Sequence, residues 1–189
     1  IPTILPLLYQ SLYVTITGYD KPTKLYQLAL PNQEIRVGLY GSLLPHYLMD
    51  KSAKANTTIA KMSVFVKKGD MDAAFCLLND FLETVPYCDN THYEGHWQQT
   101  LYIMFALLTN YSILVEPHTA KGRIDIMMET NDTIYVMELK FNKSAEEALA
   151  QIDAKHYADA FKMSGKKVVK VGLNFSVKEE VNCLEWVIS

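Results

Sequence analysis

The chain has 189 residues, 49% of them apolar, with 18 Lys and Arg against 21 Asp and Glu for a formal charge of −3. This is ordinary globular material with enough apolar residues for a core, and no run approaches the roughly 18–20 apolar residues of a membrane span. Mild acidity excludes a surface that attracts polyanions everywhere, so a nucleic-acid partner requires a local basic patch. Lys155, Lys162, Lys166, Lys167 and Lys170 cluster in sequence and are one candidate; a solvated helix face and turn is the plain alternative. Cys76, Cys88 and Cys183 are odd in number and lack CxxC spacing, which argues against a disulfide framework or zinc site and for a reducing cytoplasm. The start, Ile1-Pro2-Thr3-Ile4-Leu5-Pro6, has no basic leader and no initiator Met, so a piece of a longer or processed protein is expected.

In chain order, Leu5–Ser11 reads as the end of a helix. Leu12–Thr17 and Lys24–Leu30 read as a hairpin about the turn residues Gly18–Pro22. A helix is expected over Gln33–Met49, with Ile35, Leu39, Leu43 and Leu44 on its apolar face and Pro45 kinking or ending it. The polar stretch Asp50–Thr58 reads as a loop. Asp70–Val85 reads as a helix with Ala74, Leu77, Leu78, Phe81 and Leu82 on one face, stopped by Pro86. Tyr87–Asn90 then forms a junction, dividing residues 1–85 from a second domain over residues 86–189. That second part reads as a helix at His92–Thr109, strands at Ser112–Glu116, Arg123–Glu129 and Thr133–Lys140, a helix at Ser144–Met163 and a strand at Lys167–Phe175. Asn182–Ile188 is one more candidate strand. The order α-β-β-β-α-β is a compact α/β unit.

The chemistry concentrates on the two middle strands. Period-two alternation puts Arg123, Asp125, Met127 and Glu129 on one face, with Ile124, Ile126 and Met128 on the other. If Thr130-Asn131-Asp132-Thr133 is a four-residue hairpin loop, Glu129 faces Ile134 and Asp125 faces Glu138, with Lys140 on the Glu138 face. Two opposed carboxylates repel unless a proton, a cation or a metal relieves them, and hard oxygen ligands suit Mg²⁺ or Mn²⁺. Such a metal polarises a phosphate oxygen and acidifies a bound water, and a lysine beside it orients the water or stabilises developing charge. The pattern fits phosphodiester hydrolysis; an Asp on an exposed strand face and a chance ExK are the alternative, and a one-residue slip breaks the facing.

Glu94 heads the apolar stripe Gln98, Leu101, Phe105 and Leu108 of its helix, where a carboxylate reaches the edge of a sheet. Thr91-His92-Tyr93-Glu94 is equally a capping box, in which Glu94 serves its own helix start. Gln151 and Lys155, four apart on the next helix, are candidates for bonding a phosphate or a base, against a solvated helix edge. His92, His96 and His118 have no ligand spacing, and His156 and Tyr157 read as packing residues.

The stretch from Gly122-Arg123-Ile124-Asp125 through Glu138-Leu139-Lys140 to Gln151-Ile152, with Lys155-His156-Tyr157 and Lys167–Phe175 after it, closely resembles a bacterial family. That family joins an N-terminal AAA-type ATPase to a C-terminal PD-(D/E)XK nuclease domain and is common in gut Bacteroidetes. The resemblance runs from about Pro86 to Trp186. It implies a restriction-endonuclease-like core in which Asp125 is the motif aspartate, Glu138 and Lys140 the ExK half, and Glu94 the acidic residue of the preceding helix. Asp125, Glu138, Glu94 and the Leu139 backbone carbonyl are then the metal ligands, and Gln151 and Lys155 contact substrate. Some related nucleases place Tyr four residues after the Gln; here that position is Lys155, and Tyr157 comes two residues later. Tyr9–Ile16 resembles the helix-to-wing segment of a truncated winged-helix-like region. No Walker A pattern occurs, so any ATPase lies upstream of Ile1. The implied function is a Mg²⁺- or Mn²⁺-dependent nuclease, with DNA as the expected substrate, no membrane partner, and homo-oligomerisation left open. The competing class is an inactive nuclease-like module that binds nucleic acid or a partner.

Overall fold

In the computed structural model, residues 4–48, 52–85, 94–108, 112–115, 118–119 and 122–189 are described. The chain divides into two compact units, Ile1–Leu43 and Leu44–Ser189. The first holds α1 (Leu5–Gln10), a hairpin of β1 (Thr15–Asp20) and β2 (Leu25–Ala29), and the first part of α2 (Gln33–Leu48). The backbone N–H groups of Tyr13 and Val14 both donate to the Leu8 carbonyl, which turns the chain from α1 into the hairpin. The strands sit further along than turn chemistry suggests. Gly18 lies inside β1 at a bulge, and the turn is closed by Asp20, whose carboxylate accepts from the Thr23 hydroxyl. All five residues of β2 are exposed.

The second unit contains a helix that the composition conceals. The segment expected as a polar loop, Asp50–Thr58, is helical from Ser52 as α3 (Ser52–Lys68). Its buried stripe is Ala55, Thr58, Ile59, Met62 and Val66, at helical spacing but begun by an alanine and a threonine. α4 (Met71–Leu82) follows, capped by Asp70, whose carboxylate accepts from Ala73 N. Both helices belong to the compact unit Leu44–Ser189. Pro45 lies inside α2 without ending it.

After α5 (Glu94–Ala106) come β3 (Ser112–Val115), β4 (His118–Thr119), β5 (Gly122–Arg123), β6 (Ile126–Glu129) and β7 (Thr133–Phe141). They continue into α6 (Ala145–Ala154), a 3₁₀ turn (Tyr157–Phe161), β8 (Lys167–Lys178) and β9 (Val181–Ile188). The sheet order is β3-β6-β7-β8-β9, with β4 and β5 pairing separately. Only β7 and β8 are parallel in this sheet, and α6 is the crossover that parallel neighbours require. The fold is mixed α/β, consistent with a restriction-endonuclease-like core.

Two departures from strict periodicity matter for the site. The expected strand Arg123–Glu129 joins the sheet only from Ile126, and Ile124 packs in the same core cluster as Met127 rather than on the Ile126 face. The expected helix Ser144–Met163 stops at Ala154, because His156 adopts a left-handed φ of 53°. One face of the sheet then carries Met127, Ile134 and Val136 against Ile152, Leu149 and Tyr157. Other buried side chains gather round Phe75, whose ring lies 6.1 Å from Phe105 and 5.8 Å from Trp186.

β9 is an edge strand, and α4 is tied to it by polar side chains. Asn79 Oδ1 accepts from Leu184 N at 2.8 Å, and the buried Asn182 Nδ2 donates to the Val85 and Leu82 carbonyls at 2.7 and 3.3 Å. Removing a donor from buried carbonyls exposes their desolvation cost, about 1–3 kcal/mol. Asn182→Ala is therefore expected to lower unfolding stability by that amount. Urea denaturation should show a lower midpoint with an unchanged slope.

Candidate active site

The β6–β7 turn sets the register. Thr130 N donates to the Thr133 carbonyl at 2.8 Å, and Thr133 N donates to Thr130 Oγ1 at 3.1 Å. These bonds shrink the four-residue loop to the pair Asn131-Asp132, taking one residue from each side and so leaving the register intact. Glu129 pairs with Ile134 and Ile126 with Met137. Asp125, one residue before Ile126, lies outside this ladder and near Glu138. Its Oδ2 accepts the Leu139 N–H at 2.9 Å, taking the place of a backbone carbonyl and ending the strand there.

Glu138 sits on the central strand with 2% of its surface exposed. Its Oε1 accepts from Lys140 Nζ at 3.2 Å and from Gln151 Nε2, which α6 brings across the sheet. Its Oε2 is buried and has no hydrogen-bond donor among the described residues. Burial, and then the nearby Asp125 charge, push the Glu138 carboxyl up to about 7, against the opposing pull of Lys140 and Gln151. A buried acceptor without a donor is costly and marks a place for a proton or a cation.

The structure therefore brings together Asp125, Glu138, Lys140 and Gln151. Lys155 is not with them: it is the exposed C-cap residue of α6, past the turn at which the helix ends. The Glu94 backbone begins α5, and its side chain lies outside the described residues. The lysine cluster is largely neutralised, with Lys162 on Asp159 at 2.7 Å, Lys166 on Glu129 at 2.9 Å and Lys170 on Asp153 at 2.8 Å.

Two β8 residues that border this group escape a motif search. Gly172 pairs with Glu138, and Asn174 with Lys140. The buried Asn174 accepts from Lys143 N at 3.0 Å and donates to the Lys143 carbonyl at 2.9 Å, closing the turn that leads from β7 into α6. A glycine inside an apolar strand is the one sequence signal of a close approach here.

The donor set suits a hard divalent cation: two neighbouring carboxylates, one of which keeps an orphaned buried oxygen. Among the described residues no group of three or more His, Cys, Asp or Glu is assembled; the Glu94 side chain is not among them.

Glu138 also makes stability pH-dependent. The carboxyl titrates near 4.5 ordinarily and near 7 in the fold, so the folded chain holds the proton more tightly. Its contribution favours folding below about 4.5 and is lost as pH rises to about 7. Glu138→Gln, neutral throughout, is expected to match wild type near pH 4.5 and exceed it at about pH 8 by up to about 3 kcal/mol. Urea midpoints at the two pH values measure this; equal differences at both would refute the shifted carboxyl.

A family model for the PD-(D/E)XK nuclease superfamily matches residues 92–186. The chain is also 28% identical over 179 residues to a protein of Azotobacter chroococcum mcd 1 described as an uncharacterized protein in the vnfD 5' region. That alignment covers 90% of this chain and 34% of the relative, so the chain spans about a third of its relative's length. With half of its residues matched, and with Asp125, Glu138 and Lys140 inside the match, the chain belongs to the PD-(D/E)XK nuclease superfamily.

Proposed function

We propose that residues 86–189 form a metal-dependent nuclease domain that hydrolyses phosphodiester bonds, with DNA as substrate. The observation that carries this reading is the buried Glu138 with Asp125 beside it: one oxygen is held by Lys140 and Gln151, the other has no donor among the described residues. A structural carboxylate has no reason to be arranged so.

Asp125 and Glu138 hold Mg²⁺ or Mn²⁺ in this proposal, with the Leu139 carbonyl and Glu94 as further ligands. A bound divalent ion supplies Lewis acidity and a water of lowered pKa. Leu139 N–H fixes the Asp125 carboxylate, and Gln151 fixes Glu138. Lys140, mostly buried beside Glu138, is placed to hold the attacking water or to meet the charge developing on the phosphate. Lys155, exposed at the helix end, is assigned a contact to the nucleic-acid backbone outside the reacting group.

The parent protein is proposed to carry an AAA-type ATPase upstream, with residues 1–85 as the winged-helix-like and helical region that links it to the nuclease domain. A cytoplasmic location fits this, and no described helix is long and apolar enough to cross a membrane. The alternative, an inactive module that binds nucleic acid, draws on the lysine cluster. Three of those five lysines already face carboxylates, which weakens it.

Asp125→Ala and Glu138→Ala are each expected to lower Mg²⁺- or Mn²⁺-dependent DNA cleavage on the order of a hundredfold or more. Circular dichroism should remain that of wild type, and calorimetric titration of Mn²⁺ should lose its binding heat in the Asp125 variant. Wild type inert towards single- and double-stranded DNA and RNA with both metals would replace this reading with the binding module.

A further inference from the structure

Gly172 lies in register with Glu138 on the neighbouring parallel strand, so their side-chain positions share a face of the sheet. That face is covered by α6. A Cβ at Gly172 would fall well inside contact distance of the Ala145 carbonyl oxygen and 2.7 Å from Leu149 N. Both are backbone atoms of α6, so no rotamer change makes room. Gly172 is not among the glycines with positive φ, so space rather than backbone conformation requires glycine there. The helix matches it with small residues: Ala145 and Ala148 are buried on the face of α6 that also buries Ile152. Gln151 rides on the same helix and reaches Glu138 Oε1.

We infer that Gly172 is a positioning residue: by letting the α6 backbone approach β8, it sets the height at which Gln151 meets Glu138. Gln151 is carried on the α6 backbone, so its amide moves with the helix. A methyl group at Gly172 would push the α6 backbone away from β8 and carry Gln151 away from Glu138. The inference rests on the proposed active site for its catalytic consequence and on packing alone for its structural one.

The test reads the two separately. In ¹⁵N-labelled full chain, the Gln151 side-chain amide signals, assigned by their loss in Gln151→Ala, are expected to be displaced by the bond to Glu138. Gly172→Ala should move them to the position they take in Glu138→Ala, while the Asn182 side-chain amide stays in place. Ala148→Val, which adds bulk to the interface from the helix side, should do the same and decides the matter if Gly172→Ala does not fold. Gln151 signals unmoved in a folded variant would overturn the inference. In cleavage assays Gly172→Ala and Gln151→Ala should each lower kcat on the order of 100-fold, with little change in KM. The double variant should fall no further, and effects that multiply would also overturn it. An inert wild type with amide signals that move as expected would instead sink the nuclease reading and leave the positioning role standing.

Discussion

The bond from Leu139 N–H to the Asp125 carboxylate is the constraint on which the site depends. Continuing the antiparallel ladder would satisfy that N–H with a backbone carbonyl, as it does further along β6. A charged acceptor in its place makes a stronger bond and stops the strand. Ending the ladder releases Ile124 from strict alternation into the cluster with Met127 and Val136. The bond also anchors a carboxylate to the main chain of the central strand, which cannot yield because β6 and β8 hold it on both sides. One interaction thus ends a strand, fills a core position and fixes a charge.

What the bond creates is unfavourable taken alone. Glu138 is nearly inaccessible to water, faces a second carboxylate and keeps one oxygen without a donor among the described residues. The apolar surroundings cover this cost: Ile134, Val136 and Leu139 are buried on the same strand, and Leu149 and Ile152 close over it from α6. Each fully buried side chain of this kind contributes roughly 1.5–3 kcal/mol. A strand with such support tolerates a misfit carboxylate, as functional sites do elsewhere at the expense of stability.

The parts of this arrangement that sequence reveals are those fixed by local rules. The hairpin register follows from Thr130–Thr133 and period-two alternation, and it survived a change of loop length because the Thr130–Thr133 pair is symmetric about the turn. The apolar face of α4 follows from periodicity, whereas β7 and β8 are buried on both faces along most of their length. α3 was hidden because Ala55 and Thr58, small or polar, begin its buried stripe. The end of α6 was hidden because a left-handed histidine, rather than glycine or proline, terminates it. That single conformation is why Gln151 and Lys155, equivalent by spacing, differ in fate: one is half-buried against Glu138, the other exposed past the last turn.

The division has a physical basis. Asp125 reaches the site through a hairpin whose partners lie close in sequence, so its placement is a matter of counting residues. Gln151 reaches it through a parallel crossover, and its placement depends on how closely a helix packs on β8, a strand that starts 16 residues after Gln151 and meets α6 at Gly172. Contacts of that kind leave no periodic trace, only an unexplained glycine in a valine-rich strand. Glu138 belongs to both: its backbone is set by the sheet and its carboxylate by the helix. The two kinds of constraint therefore meet at one oxygen pair, where a slip in strand register or a lift of the helix would each undo the site while leaving the hydrophobic core largely recognisable.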